Sequence, residues 1–233
     1  MKKEELKIIK LENLKDDFLT ILLRLTYIRN KKKRKQLMKR AKAIANKIPE
    51  FKGWPKGKKF WDVEALAWVV KIPKHVRQFI RKELLKRIKL SGMNLSLGSG
   101  SYPYVRKSVL LDYSEKMLEQ VTVKYKKKVV HDIQKIPWPF KKNTFDSISA
   151  VFIINYLKNL KKVFKEAKRV LKTKGKLIIV QSAKPLGEFY RIKEAKEYKP
   201  DDIAKILKQL GFKTKVEKKK TKRTSLVFIE GRK

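Results

Sequence analysis

Residues 93–102 read Met93-Asn94-Leu95-Ser96-Leu97-Gly98-Ser99-Gly100-Ser101-Tyr102, a short apolar run that breaks into two glycines one residue apart. Glycine lets a chain turn sharply out of a strand and bring its backbone against a ligand without a Cβ in the way. In an open α/β sheet such a turn falls at the carboxyl ends of the strands, where ligands bind. Whether this is such a sheet depends on the residues downstream. Met93–Leu97 is the first of several short apolar runs, with Ser108–Leu111, Lys128–Val130, Ser147–Ile154 and Lys176–Gln181 after it. Between the last two, Leu160, Val163, Phe164, Ala167, Val170 and Leu171 recur at helical spacing, and Gly175 stands as a stop. Pro200-Asp201-Asp202 opens another helix, with Ile203, Ile206, Leu207 and Leu210 as its buried face and Gly211 past its end. Phe212–Val216 and Ser225–Glu230 close the chain as two strands, too near each other for a helical crossover and so antiparallel. Strands alternating with helices predict a mostly parallel sheet with right-handed crossovers.

Upstream the pattern changes. Residues 1–90 show helical periods and no strand alternation, which places a helical region at 1–90 ahead of an α/β domain at 91–233. Leu11, Leu14, Phe18, Leu22 and Leu25 form one apolar helical face. The stretch 24–59 holds 15 Lys/Arg and one acid, Glu50, yet Leu37, Ala41, Ile44 and Ile48 keep a helical stripe through it. An ordered basic helix is therefore expected rather than a tail. Gly53-Trp54-Pro55-Lys56-Gly57 is a turn cluster. Asp62 is placed to N-cap a run to Val70, and Pro73 suits the first turn of a helix carrying Val76, Ile80, Leu84 and Ile88.

Composition narrows the function. The 233 residues carry 63 Lys+Arg against 22 Asp+Glu, a formal net charge of +41, while 42% are apolar, enough for a sizeable core. That imbalance makes a polyanionic partner plausible, although lysine excess also accompanies growth at high temperature. The absence of cysteine excludes disulfides, cysteine-ligated metals and thiol nucleophiles, and two histidines, His75 and His131, do not make a histidine-rich metal site. No apolar run reaches the roughly 18–20 residues that span a bilayer, and the start lacks an apolar signal core. A cytoplasmic protein without a metal or a membrane is expected.

The strand ends carry the chemistry. Asp112 closes the second strand in Leu111-Asp112-Tyr113-Ser114, where a carboxylate accepts the hydroxyls of a ribose; the plainer reading is a turn acid. Ser114 is placed to N-cap a helix carrying Met117 and Leu118. His131-Asp132-Ile133 follows the third strand, and an acid there accepts from an exocyclic amine or is simply solvated. Trp138-Pro139-Phe140, Phe145-Asp146 and Val170-Leu171-Lys172-Thr173-Lys174-Gly175-Lys176-Leu177 follow in order. In order and spacing these blocks resemble the class I S-adenosylmethionine-dependent methyltransferases, over about three-fifths of the chain. The resemblance implies a Rossmann-like sheet of seven strands with one antiparallel, and S-adenosylmethionine as cofactor. It also implies roles residue by residue. Gly98, Ser99 and Gly100 would pass under the methionine and ribose, and Asp112 would hold the ribose hydroxyls. Tyr113 and Ile133 would flank the adenine, and Asp132 would face its amino group. Phe152 through Asn155 would line the channel between the methyl group and the acceptor.

The chain departs from that pattern twice. Ser96 stands where the family usually has an acid near the cofactor's amino group, and the first crossover is short, with a helix expected at Tyr102–Lys107 and Tyr102 in place of the third glycine. No Asn-Pro-Pro-aromatic tetrad follows the fourth strand, which disfavours methylation of planar amines. Polar groups available near the methyl are Asn155, Tyr156, Tyr102 and Tyr104, none of which identifies itself as catalytic, and His131 is the one histidine at a strand end. For the acceptor, the basic 24–59 segment has no acidic counter-stripe, Phe51, Trp54, Phe60 and Trp61 interleave aromatics with lysines in and just after it, and Lys213 to Arg223 adds seven basic residues, a combination that points to RNA as substrate and partner. Alternatively the aromatics pack the helical region, and the acceptor is a small molecule, or the chain is a nucleic-acid-binding member of the fold that has lost catalysis.

Overall fold

The computed structural model describes residues 3–28, 30–51, 53–184, 195–222 and 224–233. The chain divides into two compact units, Met1–Lys71 and Ile72–Lys233.

Among the described residues the first unit holds three helices, α1 (Lys3–Tyr27), α2 (Lys31–Lys47) and α3 (Gly57–Lys71). Phe18, Leu22 and Leu25 are buried, as their spacing requires, and on α2 the buried residues are Ala41, Ile44 and Ala45. Asn30 caps α2, its side chain accepting from the Lys33 N–H at 3.0 Å. Aromatic packing fills the centre: Phe18 meets Phe51 and Trp54 at 5.4 and 5.3 Å, and Trp61 meets both Phe60 and Trp68 at 5.3 Å. Offset and edge contacts of this kind add to the area they bury. Phe51 and Phe60 are buried and Trp54 and Trp61 half-buried, so these aromatics pack into this core. α3 starts at Gly57, so Asp62 is an interior residue bonded to Lys58 one turn back at 2.9 Å and not the N-cap expected from the sequence. The helical pattern extends upstream because Phe60 is already an inward position.

The second unit opens with α4 (Lys74–Leu85), which Pro73 caps without a side-chain bond. Its apolar face, Val76, Ile80 and Leu84, packs with Ile178, Val180, Leu226 and Phe228 on one face of a seven-stranded sheet. α4 thus belongs with the sheet, whereas the sequence reading drew the boundary after residue 90. The strands are β1 (Asn94–Leu97), β2 (Val109–Asp112), β3 (Lys127–Val130), β4 (Phe145–Val151), β5 (Leu171–Ser182), β6 (Lys213–Lys220) and β7 (Ser225–Arg232), in the spatial order β3-β2-β1-β4-β5-β7-β6. β7 runs antiparallel to both its neighbours and every other pairing is parallel. Among the described residues three more helices lie in this unit: α5 (Glu115–Glu119), α6 (Leu160–Val170) and α7 (Pro200–Gln209). Val163, Phe164, Ala167 and Val170 of α6 are all but fully buried against the other face of the sheet. Each large apolar chain so buried contributes about 1.5–3 kcal/mol. Along β5, Leu177 and Ile179 join that core while Ile178 and Val180 join the α4 core, the period-two signature of a strand covered on both faces.

Three boundaries differ from expectation, each for a local reason. α6 stops at Val170, and the chain passes directly into β5 through an irregular register, so Gly175 is a strand residue; a Cβ there would meet the Lys172 carbonyl oxygen at 2.8 Å. β4 ends at Val151 because Phe152 takes φ +58° and a single 3-10 turn, Ile154–Tyr156, comes next. No helix forms between β1 and β2: the segment runs as turns and bends, and Lys107 takes φ +56°, outside the helical region.

Candidate functional site

The sheet order reverses between β1 and β4. From β1 the chain moves outward through β2 and β3, then returns to lay β4 on β1's other side, which opens a crevice beyond the carboxyl ends of these strands. The residues singled out in the sequence gather there. Gly98 and Gly100 take φ +59° and +55°, which admits glycine and strains other residues. Gly98 is also crowded: a Cβ on it would sit 2.6 Å from Cγ1 of Ile153, in the segment after β4. The loop is anchored to β2, since the N–H groups of Gly98 and Ser99 both donate to the Leu111 carbonyl, at 2.8 and 3.2 Å.

Asp112 is buried at the end of β2. One of its carboxylate oxygens accepts the Gly100 N–H at 2.8 Å and the other the Ser114 N–H at 3.0 Å. The glycine loop and the strand-end acid therefore border one crevice, and the acid shapes the loop as well as facing it. Ser114 caps α5 as expected, accepting from Met117 N at 3.1 Å. Tyr113 is half-buried beside it.

Beyond β3, the His131 N–H donates to the Asp112 carbonyl at 2.9 Å and so joins the two strand ends. The His131 Nε2 contacts the Lys135 carbonyl at 2.8 Å, so this nitrogen donates. Asp132 accepts from Gln134 N at 2.9 Å in a tight turn, half-buried, and Ile133 is buried. The Trp138-Pro139-Phe140 block supports this turn from behind. Trp138 Nε1 donates to the Ile133 carbonyl at 2.9 Å, and the Trp138 N–H donates to Glu166 on α6 at 2.7 Å. Arg169 donates to the same Glu166 carboxylate at 2.6 Å and to the Phe140 carbonyl at 2.9 Å. Burial pushes the Glu166 carboxyl up, and the bonds from Arg169 and Trp138 outweigh it, holding it below the ordinary carboxylate range. Asp146 also serves the fold: it accepts from the Met93 N–H at 2.7 Å and pairs with Lys172 at 2.9 Å.

On the β4 side, Phe152 is half-buried with its N–H given to Val180 at 2.9 Å. Asn155 is half-buried, its Oδ1 sealed from solvent without a partner among the described residues, and Tyr156 lies in the same 3-10 turn. Ser96 is buried in β1 and carries no charge into the crevice. Arg77 and Glu166 were not singled out from the sequence, and Ile153 was placed there only in the channel span Phe152–Asn155, not against Gly98. Ile153 touches the loop only through chain reversal, Arg77 sits on a helix that read as mere amphipathic surface, and Glu166 looks like any helical acid.

An open, doubly covered α/β sheet with a glycine loop and an acid at its switch point defines a protein that binds a nucleoside-containing cofactor. A family model described as methyltransferase domain matches residues 93–179. An uncharacterised protein of Methanocaldococcus jannaschii is 30% identical over 161 residues, 64% of this chain and 75% of that one. The chain belongs to the class I S-adenosylmethionine-dependent methyltransferases and takes S-adenosylmethionine as its cofactor. Among solved structures, a methyltransferase of Aquifex aeolicus superposes with a TM-score of 0.53 at 20% identity, over 69% of this chain and 93% of that one. The phosphoethanolamine N-methyltransferase 2 of Haemonchus contortus superposes with a TM-score of 0.61 at 17% identity, over 75% of this chain and 58% of that one. The crevice suits that cofactor by the chemistry of its edges: positive-φ glycine backbone at Gly98 and Gly100, and the buried Asp112 carboxylate at the end of β2. Among the described residues no helix is long and apolar enough to cross a membrane, and no group of three metal-ligating side chains occurs.

Proposed function

We propose that this methyltransferase modifies RNA, with the crevice between β1, β2 and β4 as its cofactor site. In this reading Gly98, Ser99 and Gly100 pass beneath the methionine and ribose, Asp112 accepts from the ribose hydroxyls, Tyr113 and Ile133 flank the adenine, and Asp132 faces its amino group. Phe152 and Asn155 border the channel to the acceptor. The bound cofactor supplies an electrophilic sulfonium methyl, so the protein's task is alignment of a nucleophile in line with it. A base is needed only where the acceptor arrives protonated. Asn155, Tyr156 and Tyr102 remain as groups that position the acceptor.

The observation that carries RNA is α2. Between Lys31 and Lys47 there is no acid, and Lys32, Lys35, Lys39, Arg40 and Lys42 are exposed on a helix that is capped and buried on its apolar side. Such an ordered cationic face neutralises phosphates along a strand. β6 adds exposed Lys213, Lys215, Lys218 and Lys220. The test is methyl transfer from labelled S-adenosylmethionine to transfer and ribosomal RNA fragments. Label that enters ribonuclease-sensitive material supports the reading. The burial of Phe51 and Phe60 favours a second reading, a small-molecule acceptor, and label confined to low-mass products would establish it in place of RNA.

A further inference from the structure

At the other ends of the strands that border the crevice lies a cationic rim built around an exposed ring. β2 opens at Val109 and β3 at Lys127, and the register pairs these two residues. The turns that lead into them are tied together. The Lys107 N–H donates to the Lys124 carbonyl at 2.9 Å, and the Lys126 N–H donates to the Ser108 carbonyl at 2.9 Å. Arg106, Lys107, Lys124, Lys126 and Lys127 are thereby gathered at one rim, all of them exposed. No acid occurs between Tyr102 and Leu111 or between Gln120 and His131. None of the ion pairs among the described residues takes in one of these cations. Lys126 reaches Met93, its Nζ 3.7 Å from the sulfur, and Asp146, which accepts the Met93 N–H, is matched by Lys172 at 2.9 Å.

Tyr125 stands in the middle of this run. It is 39% exposed, the most exposed aromatic of the second unit among the described residues, and the Lys128 ammonium lies 4.8 Å from its ring centroid. Lysines alone would not single out this face in a chain of net charge +41. The ring does, because an aromatic left in water forgoes the gain that burial offers it. We propose that this rim is a second docking surface, apart from the crevice, for a single strand of RNA. Tyr125 stacks one unpaired base, Lys128 backs the ring, and the flanking cations neutralise the phosphates on either side. A duplex does not suit it, since only a base splayed out of its stack reaches such a ring. For the choice of RNA this inference rests on the acceptor reading proposed above. Val109 and Asp112 mark the two ends of β2, about 10 Å apart at the rise of a strand. β3 is the outermost strand on this side, so an RNA strand passes from rim to crevice along its edge. The acceptor nucleotide is then part of a longer single-stranded segment and not a free nucleotide.

Anisotropy titrations with a labelled single-stranded RNA of about 12 nucleotides test the rim. The proteins compared are the wild type, Tyr125→Ala, Tyr125→Phe and the triple variant Lys124→Gln, Lys126→Gln, Lys127→Gln. Tyr125→Ala should weaken binding roughly tenfold, the scale of one lost base stack, and Tyr125→Phe should bind as the wild type does. The triple variant should flatten the dependence of log affinity on log salt by up to roughly 2. S-adenosylhomocysteine affinity and melting temperature should hold in every variant, because these side chains are exposed and lie at the far ends of the strands from Asp112. Wild-type affinity in Tyr125→Ala overturns the stack, and a wild-type salt slope in the triple variant overturns the phosphate contacts. A duplex of the same sequence, or single-stranded DNA, bound more tightly than the RNA overturns the choice of partner. Failure of the acceptor reading looks different: RNA that binds through Tyr125 yet takes no labelled methyl group supports the rim and overturns RNA as acceptor.

Discussion

At Asp112 one carboxylate accepts from the Gly100 and Ser114 N–H groups and faces the crevice, so it serves loop shape and ligand together. Asp112→Ala should weaken S-adenosylhomocysteine binding by about 1–3 kcal/mol, the scale of hydrogen bonds lost to a charged acceptor. It should also lower the melting temperature, because two backbone donors lose their partner. Titration calorimetry and a thermal melt read the two effects separately, and a variant that binds as tightly as the wild type would remove Asp112 from the cofactor site. Gly98 is constrained in another way. Gly98→Ala places a residue at φ +59°, which costs roughly 1–2 kcal/mol for an L side chain, and drives its Cβ against Ile153. Trimming the neighbour should return part of that loss, so the double variant Gly98→Ala, Ile153→Ala should be more stable than the sum of the two single variants in urea titrations. Strict additivity would mean that the Ile153 side chain does not limit this position.

At the scale of elements, the Trp138 block is a brace and not a part of the ligand surface. Glu166 on α6 receives the Trp138 N–H and Arg169, while Trp138 holds the carbonyl of Ile133. Because these bonds keep the folded Glu166 pKa below its unfolded value, the carboxylate's contribution is complete above the ordinary carboxylate range. It is lost as pH falls through the lowered folded value. Glu166→Gln should therefore be less stable than the wild type by about 1–3 kcal/mol at pH 7. The gap should close in denaturant titrations carried down through the acid range, and a constant gap would contradict the assignment. This brace shows where sequence reading reaches its limit. The glycine loop, Asp112, the Ser114 cap and the antiparallel β7 were legible because each rests on a local signal: a turn, a strand end, a cap or a short connection. The order of the blocks supplied the rest of the sheet. Ile153 against Gly98, Glu166 under Trp138 and Arg77 over Tyr102 are pairings across long loops, and nothing within a window of ten residues announces them. Asp62 misled for the opposite reason: it is a good capping residue, but Phe60 had already set the helical phase by packing inward.

For the whole molecule the question is whether a net charge of +41 is function or composition. Charge spread without purpose attracts any polyanion weakly and evenly, whereas an interface concentrates its counterion release in a few positions. α2 offers a place to tell these apart, since Lys32, Lys35 and Lys39 are exposed on an acid-free helix. Converting these three to glutamine changes the total charge only slightly and leaves the buried side of α2, Ala41, Ile44 and Ala45, intact. If they neutralise phosphates, the dependence of log affinity on log salt should become shallower by about 0.7 for each phosphate released on a single strand, so by up to roughly 2 for all three. Affinity for the labelled RNA should fall together with the slope, while S-adenosylhomocysteine binding and the melting temperature stay at wild-type values. Fluorescence titrations from low to moderate salt measure this directly. A slope equal to that of the wild type would show that α2 takes no part in docking, and the RNA assignment would then lose the observation on which it stands.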